Sequence, residues 1–139
     1  MAHHDEYLER LAQVRLFADL DRHELEAVSG LGTDVQVEAG RELVREGDPA
    51  AEAFLVLEGT ASCRRGDEEI ATFGPGDFFG EMALLVHGHR TATVVATSDM
   101  SVRAFHKSEF DNLLDSSPKV AVKILRATAL RLLEAEDSP

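Results

Sequence analysis

Hydrophobic and polar positions change period along this chain, and the changes divide it into helical ends and a strand-rich middle. In residues 5 to 16, Leu8, Leu11 and Arg15 stand at helical spacing. DRHE at 21 to 24 has the form of a capping box and opens a second helix through Leu25 and Val28. Gly30 and Gly32 close it. From Thr33 the period becomes two, with Val35 and Val37 alternating with Asp34, Gln36 and Glu38. Turn signals AGR, GDPA, RGDE and GPGD then separate short runs such as AFLVLEG, TASCRR, EIATF, TATVVAT and MSVRAF. Seven or eight short strands at this spacing predict a sandwich, jelly roll or barrel, and the strand pattern ends near His106.

After the strands, SEF at 108 to 110 begins a short helix. SSPKV at 116 to 120 opens the last one, with Ser117 as cap and Pro118 in the first turn, running to about Glu136. Ala121, Ile124, Leu125, Ala129 and Leu132 form one apolar face of that helix, and Val122 and Leu133 widen it beyond one buried stripe. Two surfaces are therefore expected to use it. The acidic tail EAEDSP reads as a solvated end.

Composition narrows the function. At 139 residues and 44% hydrophobic, the chain is read as a single domain with a real core. Fourteen basic against 26 acidic side chains give a formal charge of −12, which repels nucleic-acid backbones and acidic lipid surfaces. No apolar run approaches the roughly 20 residues that cross a bilayer, and the expected location is the cytoplasm. Cys63 stands alone, excluding an internal disulfide, and is read as a plain strand position.

The candidate chemistry lies in FFGEMALLVHGHRTATVV, residues 78 to 95. EMALL lacks β-branched residues and can form one helical turn, whose start presents backbone N–H groups, while Gly80 lets a ligand approach the main chain. A phosphate there needs charge neutralisation, and Arg90 supplies a planar two-pronged donor. Glu81 would be badly placed beside a phosphate, but its carboxylate is an acceptor suited to a sugar hydroxyl a short distance away. Together these residues describe a site for a ribose phosphate.

FGEMALLVHGHRTATV, residues 79 to 94, closely resembles the phosphate-binding cassette of the cyclic nucleotide-binding domain family, with its arginine nine positions after glutamate. LFADL at 16 to 20, FLVLEG at 54 to 59 and GPGDFFGE at 74 to 81 resemble the family in the expected order, so the likeness covers about residues 13 to 135. The resemblance implies a mainly β fold: an antiparallel β-roll of jelly-roll type (a double-stranded β-helix) over about 33 to 106, N-terminal helices over about 5 to 30 and C-terminal lid helices over about 108 to 136. It implies that Gly80, Met82 and Ala83 bring backbone groups to the ligand. Glu81 would accept the ribose 2′-hydroxyl and Arg90 would pair with the cyclic phosphate. Thr91 stands where relatives that accept cyclic GMP carry a threonine able to reach the guanine amino group. His89 stands where many relatives have proline, giving a less rigid turn. The base would be capped from the last helix, with Leu130, Arg131 and Leu133 as candidates, and Phe110, Leu113 and Leu114 would form the moving contact.

The implied function is a stand-alone sensor or regulatory module for cyclic AMP and/or cyclic GMP, without a cofactor and without catalysis. A homodimer or effector protein would dock on the C-terminal helix. One alternative is a roll that has lost its ligand, in which Glu81 and Arg90 form an internal ion pair and the surface serves protein contacts. Another is a metal-dependent cupin-type enzyme using the HxH of His87 and His89, but the following RTAT supplies no further ligand, and His3, His4, His23 and His106 show no ligand spacing. A recognition helix and a basic patch for DNA are both lacking.

Overall fold

The computed structural model of the chain describes the backbone of residues 2–137 and the side chains of residues 4–134, so the side chain of His3 and the tail beyond Glu134 lie outside the described side chains. Among the described residues the order is α1 (Ala2–Gln13), α2 (Arg22–Ser29), β1 (Thr33–Val37), β2 (Glu42–Val44), β3 (Glu52–Glu58), β4 (Ala61–Arg65), β5 (Glu68–Phe73), β6 (Phe78–Phe79), β7 (Thr93–Ala96), β8 (Met100–His106), α3 (Lys107–Ser116) and α4 (Pro118–Asp137). This is the mainly β architecture with flanking helices that the pattern predicts. The chain forms two compact units, a β unit over Gly32–Ser108 and a helical unit made from the residues up to Leu31 and those from Glu109 onward.

The β unit consists of two four-stranded antiparallel sheets, ordered β1-β8-β3-β6 and β2-β7-β4-β5. Alternation aims one side-chain set of each strand inward, so Val37, Phe54, Val56, Phe79 and Val102 of the first sheet meet Ala61, Cys63, Val94 and Ala96 of the second. Phe79 stacks between Phe54 and Phe73, with centroids at 5.2 and 4.7 Å. Cys63 is 8% exposed, and burial pushes its thiol upward, as expected of a packed strand cysteine. Val35 departs from the predicted alternation: it is 38% exposed, because β1 is an edge strand with β8 as its neighbour.

In the helical unit, α1 ends at Gln13 and a separate 3-10 turn spans Arg15–Phe17, so Leu8, Leu11 and Val14 are buried while Arg15 is exposed and pairs with Glu134. The capping box of α2 is complete. The Asp21 carboxylate accepts the Glu24 N–H and the Glu24 carboxylate accepts the Asp21 N–H, each at 2.9 Å. Gly30 caps this helix in right-handed backbone, and the left-handed glycine is Gly32. Phe17 and Phe110 are fully buried, with rings 6.2 Å apart.

The face assigned to α4 needs correction. Its buried stripe is Val120 and Ile124, at i and i+4, whereas Leu125 and Leu132 are 68% and 59% exposed. So many apolar residues surround this helix that periodicity alone does not select the stripe.

Glu24 also ties α2 to α4 by accepting a hydrogen bond from Lys123 Nζ at 2.6 Å. That bond, followed by the one from the Asp21 N–H, holds the Glu24 carboxyl below its ordinary value of 4.5. A carboxyl lowered in the folded state adds stability above 4.5 that is lost as pH falls through its folded value. Melting temperatures measured from pH 6 down to pH 3 should therefore fall more steeply for the wild type than for Glu24→Gln. Parallel slopes would contradict this role.

Candidate functional site

The site grows out of the short strand β6. Its two residues pair with β3, Phe79 opposite Phe54 and Phe78 opposite Leu55, which fixes where the following segment begins. Gly80 comes next with φ +78°. A Cβ there would lie 2.9 Å from Arg90 Nη1 and 3.1 Å from the Glu52 carbonyl oxygen, so both the backbone angle and the space require glycine.

Glu81–Leu84 then forms the predicted helical turn, as a 3-10 turn in which the Ala83 N–H donates to the Gly80 carbonyl at 3.0 Å. Ala83 and Leu84 are buried and anchor the turn, Glu81 is half-buried, and Met82 is exposed. The turn therefore presents its backbone and Glu81 at the surface of a fixed support.

Arg90 is held by two parts of the β unit, the loop at Gly47 and Asp48 and the start of β3. Its N–H donates to the Asp48 carbonyl and its carbonyl accepts from the Gly47 N–H, both at 2.8 Å. Its Nη2 donates to the Glu52 carbonyl at 2.7 Å. The turn before it is secured by a bridge between His89 and Pro49 and by the Ala50 N–H donating to the Gly88 carbonyl at 2.9 Å. Backbone pairing thus holds the turn that was expected to be less rigid.

Half-burial pulls the Arg90 guanidinium below its ordinary value, and the nearby Glu52 charge opposes that shift. The group remains a cation that has lost part of its hydration and gains from an anion placed against it. A cavity of about 240 Å³ opens beside Arg90, lined on its other sides by Leu43, Val44, Asp48 and Glu52 among others.

The structure thus brings Gly80 and Arg90 into contact, with Glu81 and Met82 directly following Gly80. Thr91 is exposed next to Arg90. Leu130, Arg131 and Leu133 are exposed on α4 and belong to the helical unit. Two contributors escaped the sequence reading. The Glu52 carbonyl is a backbone acceptor, which no residue type announces. Arg65, at the end of β4, donates from Nε to the Thr91 carbonyl at 3.2 Å, yet it reads in sequence as part of a turn. His87 and His89 are exposed loop residues, and no group of three or more metal-ligating side chains is assembled among the described residues.

A family model described as the cyclic nucleotide-binding domain matches residues 34–117, more than half of the chain. The chain belongs to the cyclic nucleotide-binding domain family. A cAMP-dependent protein kinase regulatory subunit of Hypocrea atroviridis is 35% identical over 104 residues, 75% of this chain and 22% of that protein. The chain spans about a quarter of the length of the curated relatives it matches. Among solved structures, the N-terminal domain of a transcriptional regulator from Streptomyces coelicolor A3(2) superposes with a TM-score of 0.86 at 30% identity, covering 93% of this chain and 96% of that one. The regulatory domain of Toxoplasma gondii PKA, crystallised with cAMP, gives a TM-score of 0.74 at 30% identity over 81% of this chain and 44% of that one. The cyclic nucleotide-binding domain is regulatory rather than catalytic in these relatives, and no described helix of this chain is long and apolar enough to cross a membrane.

Proposed function

We propose that the chain is a receptor module for cyclic AMP and/or cyclic GMP, without catalytic activity of its own. The observation that carries this reading is the packing of the Arg90 guanidinium on Gly80, which brings together two residues ten positions apart. Arg90 pairs with the cyclic phosphate, Glu81 accepts the ribose 2′-hydroxyl, and Gly80, Met82 and Ala83 line the approach with backbone. Thr91 meets the base. The likeness to a regulatory domain crystallised with cAMP supports the ligand class.

The response is conformational: Leu130, Arg131 and Leu133 of α4 cover the base, with Phe110, Leu113 and Leu114 as the moving contact. A ligand drives such a change only through its higher affinity for the closed state. The exposed Val122, Leu125 and Leu132 then offer α4 to a second copy or an effector protein. The module is read as cytoplasmic and as one functional domain.

Ligand at about 100 times Kd stabilises the bound protein by about 2.7 kcal/mol, which raises the melting temperature by on the order of 10 °C. Amide exchange over residues 108–136 should slow at the same time. An unshifted melting temperature with both nucleotides would overturn the receptor reading, whereas a shift without any change in exchange would overturn the lid alone.

A further inference from the structure

Glu24, at 8% exposure, is the only buried charged side chain among the described residues. Its carboxylate accepts from the Asp21 N–H of its own capping box at 2.9 Å and from Lys123 Nζ of α4 at 2.6 Å. The first bond fixes it within α2 and the second fastens α4 to α2. Helix α2 is itself anchored, by the buried Leu25 and Val28 and by Arg22, which donates to Asp5 of α1 at 2.8 Å. A second pair, Arg15 with Glu134, fastens the far end of α4 to the same N-terminal segment.

Burying an ion pair adds little stability, because both charges lose hydration and well-packed apolar side chains do as well or better. What the pair does supply is one defined arrangement of α4 on α2. Helix α4 has no glycine or proline after Pro118, so it moves as a rod rather than by bending. In the arrangement that Lys123 holds, Leu130, Arg131 and Leu133 of that rod are exposed. Carrying them onto a nucleotide displaces Lys123 as well, away from a carboxylate that α2 keeps in place. We propose that the Glu24–Lys123 pair is an autoinhibitory clasp that holds α4 open and lowers the affinity for nucleotide. This rests on the receptor and lid readings above and adds the contact that opposes closure.

A ligand that selects the closed state binds with an apparent affinity reduced by the fraction of molecules closed, so removing a contact made only in the open state raises affinity. A purely structural tie would lower affinity and stability together. Calorimetric titration with cyclic AMP and cyclic GMP, alongside melting temperatures, reads both quantities in the wild type, Lys123→Met, Glu24→Gln and Lys123→Arg. Lys123→Met leaves the buried carboxylate without its cation, so it should melt at a lower temperature yet bind about 3- to 10-fold more tightly. Glu24→Gln keeps an acceptor for the Asp21 N–H and loses the charge, and should gain about 2- to 5-fold with the helix cap intact. Lys123→Arg retains the pair and should stay within about twofold of the wild type.

Unchanged or weaker binding by Lys123→Met and Glu24→Gln overturns the proposal and makes the pair a structural tie between α2 and α4. Wild-type binding without slower amide exchange over residues 108–136 overturns the lid reading, and this inference with it. Wild-type binding to neither nucleotide overturns the receptor reading itself, a result distinguishable from failure of the clasp alone.

Discussion

Arg90→Ala loses cyclic nucleotide affinity by roughly 30-fold to several thousandfold, the equivalent of about 2 to 5 kcal/mol. The loss is large because the rest of the site is built around this side chain. Gly80 leaves room for Nη1, the Glu52 carbonyl orients Nη2, and the 47–50 loop fixes the backbone on both sides. Removing the guanidinium leaves the phosphate charge beside half-buried surface with backbone dipoles alone to answer it. Arg90→Lys should recover only part of the affinity, since an ammonium cannot place one prong on the Glu52 carbonyl and keep a planar face for the phosphate. Competition against a fluorescent cyclic nucleotide measures both variants. Equal affinity of wild type and Arg90→Ala would show that the ligand, if any, binds elsewhere.

Phe79→Ala destabilises the protein by about 3 to 5 kcal/mol, the usual range for deleting a buried ring. Phe79 is 5% exposed and stacks between Phe54 and Phe73, so its loss opens a cavity shared by both sheets. The same residue ends β6 and sets the position of Gly80 through its pairing with Phe54. Nucleotide affinity should therefore fall along with stability. Urea unfolding reads the effect as a lower midpoint with an unchanged slope, and Phe79→Leu should cost distinctly less. A loss below about 1 kcal/mol for Phe79→Ala would mean that the stacked rings repack freely.

Particular residues show why some of this was legible in sequence. The Asp21 and Glu24 capping box acts over three residues, and the structure contains both of its bonds. The helical turn at Glu81–Leu84 follows from local composition, and the strands from Glu52 to His106 follow from turn residues placed between apolar runs. Gly80 and Arg90 were each legible because each residue type is suited to one task, a close approach to the main chain and a forked cation, but their mutual packing was not. The setting of Arg90 was hidden, because the Glu52 and Asp48 carbonyls act through backbone that every residue shares. Arg65 was hidden for a related reason: its partner is the carbonyl of Thr91, brought near by sheet pairing between β4 and β7. On α4, Leu125 and Leu132 are exposed while Val120 is buried, since an apolar wheel indicates which residues cluster without indicating which cluster is covered.

The most direct test of the central claim is calorimetric titration of protein that has been unfolded and refolded to remove co-purified nucleotide, using cyclic AMP and then cyclic GMP. The account predicts saturable heat near one site per chain for at least one of them, abolished or strongly weakened in Arg90→Ala. Absence of heat with either nucleotide, together with an unchanged melting temperature, would contradict it and leave the fold as a roll whose cassette no longer captures a ligand.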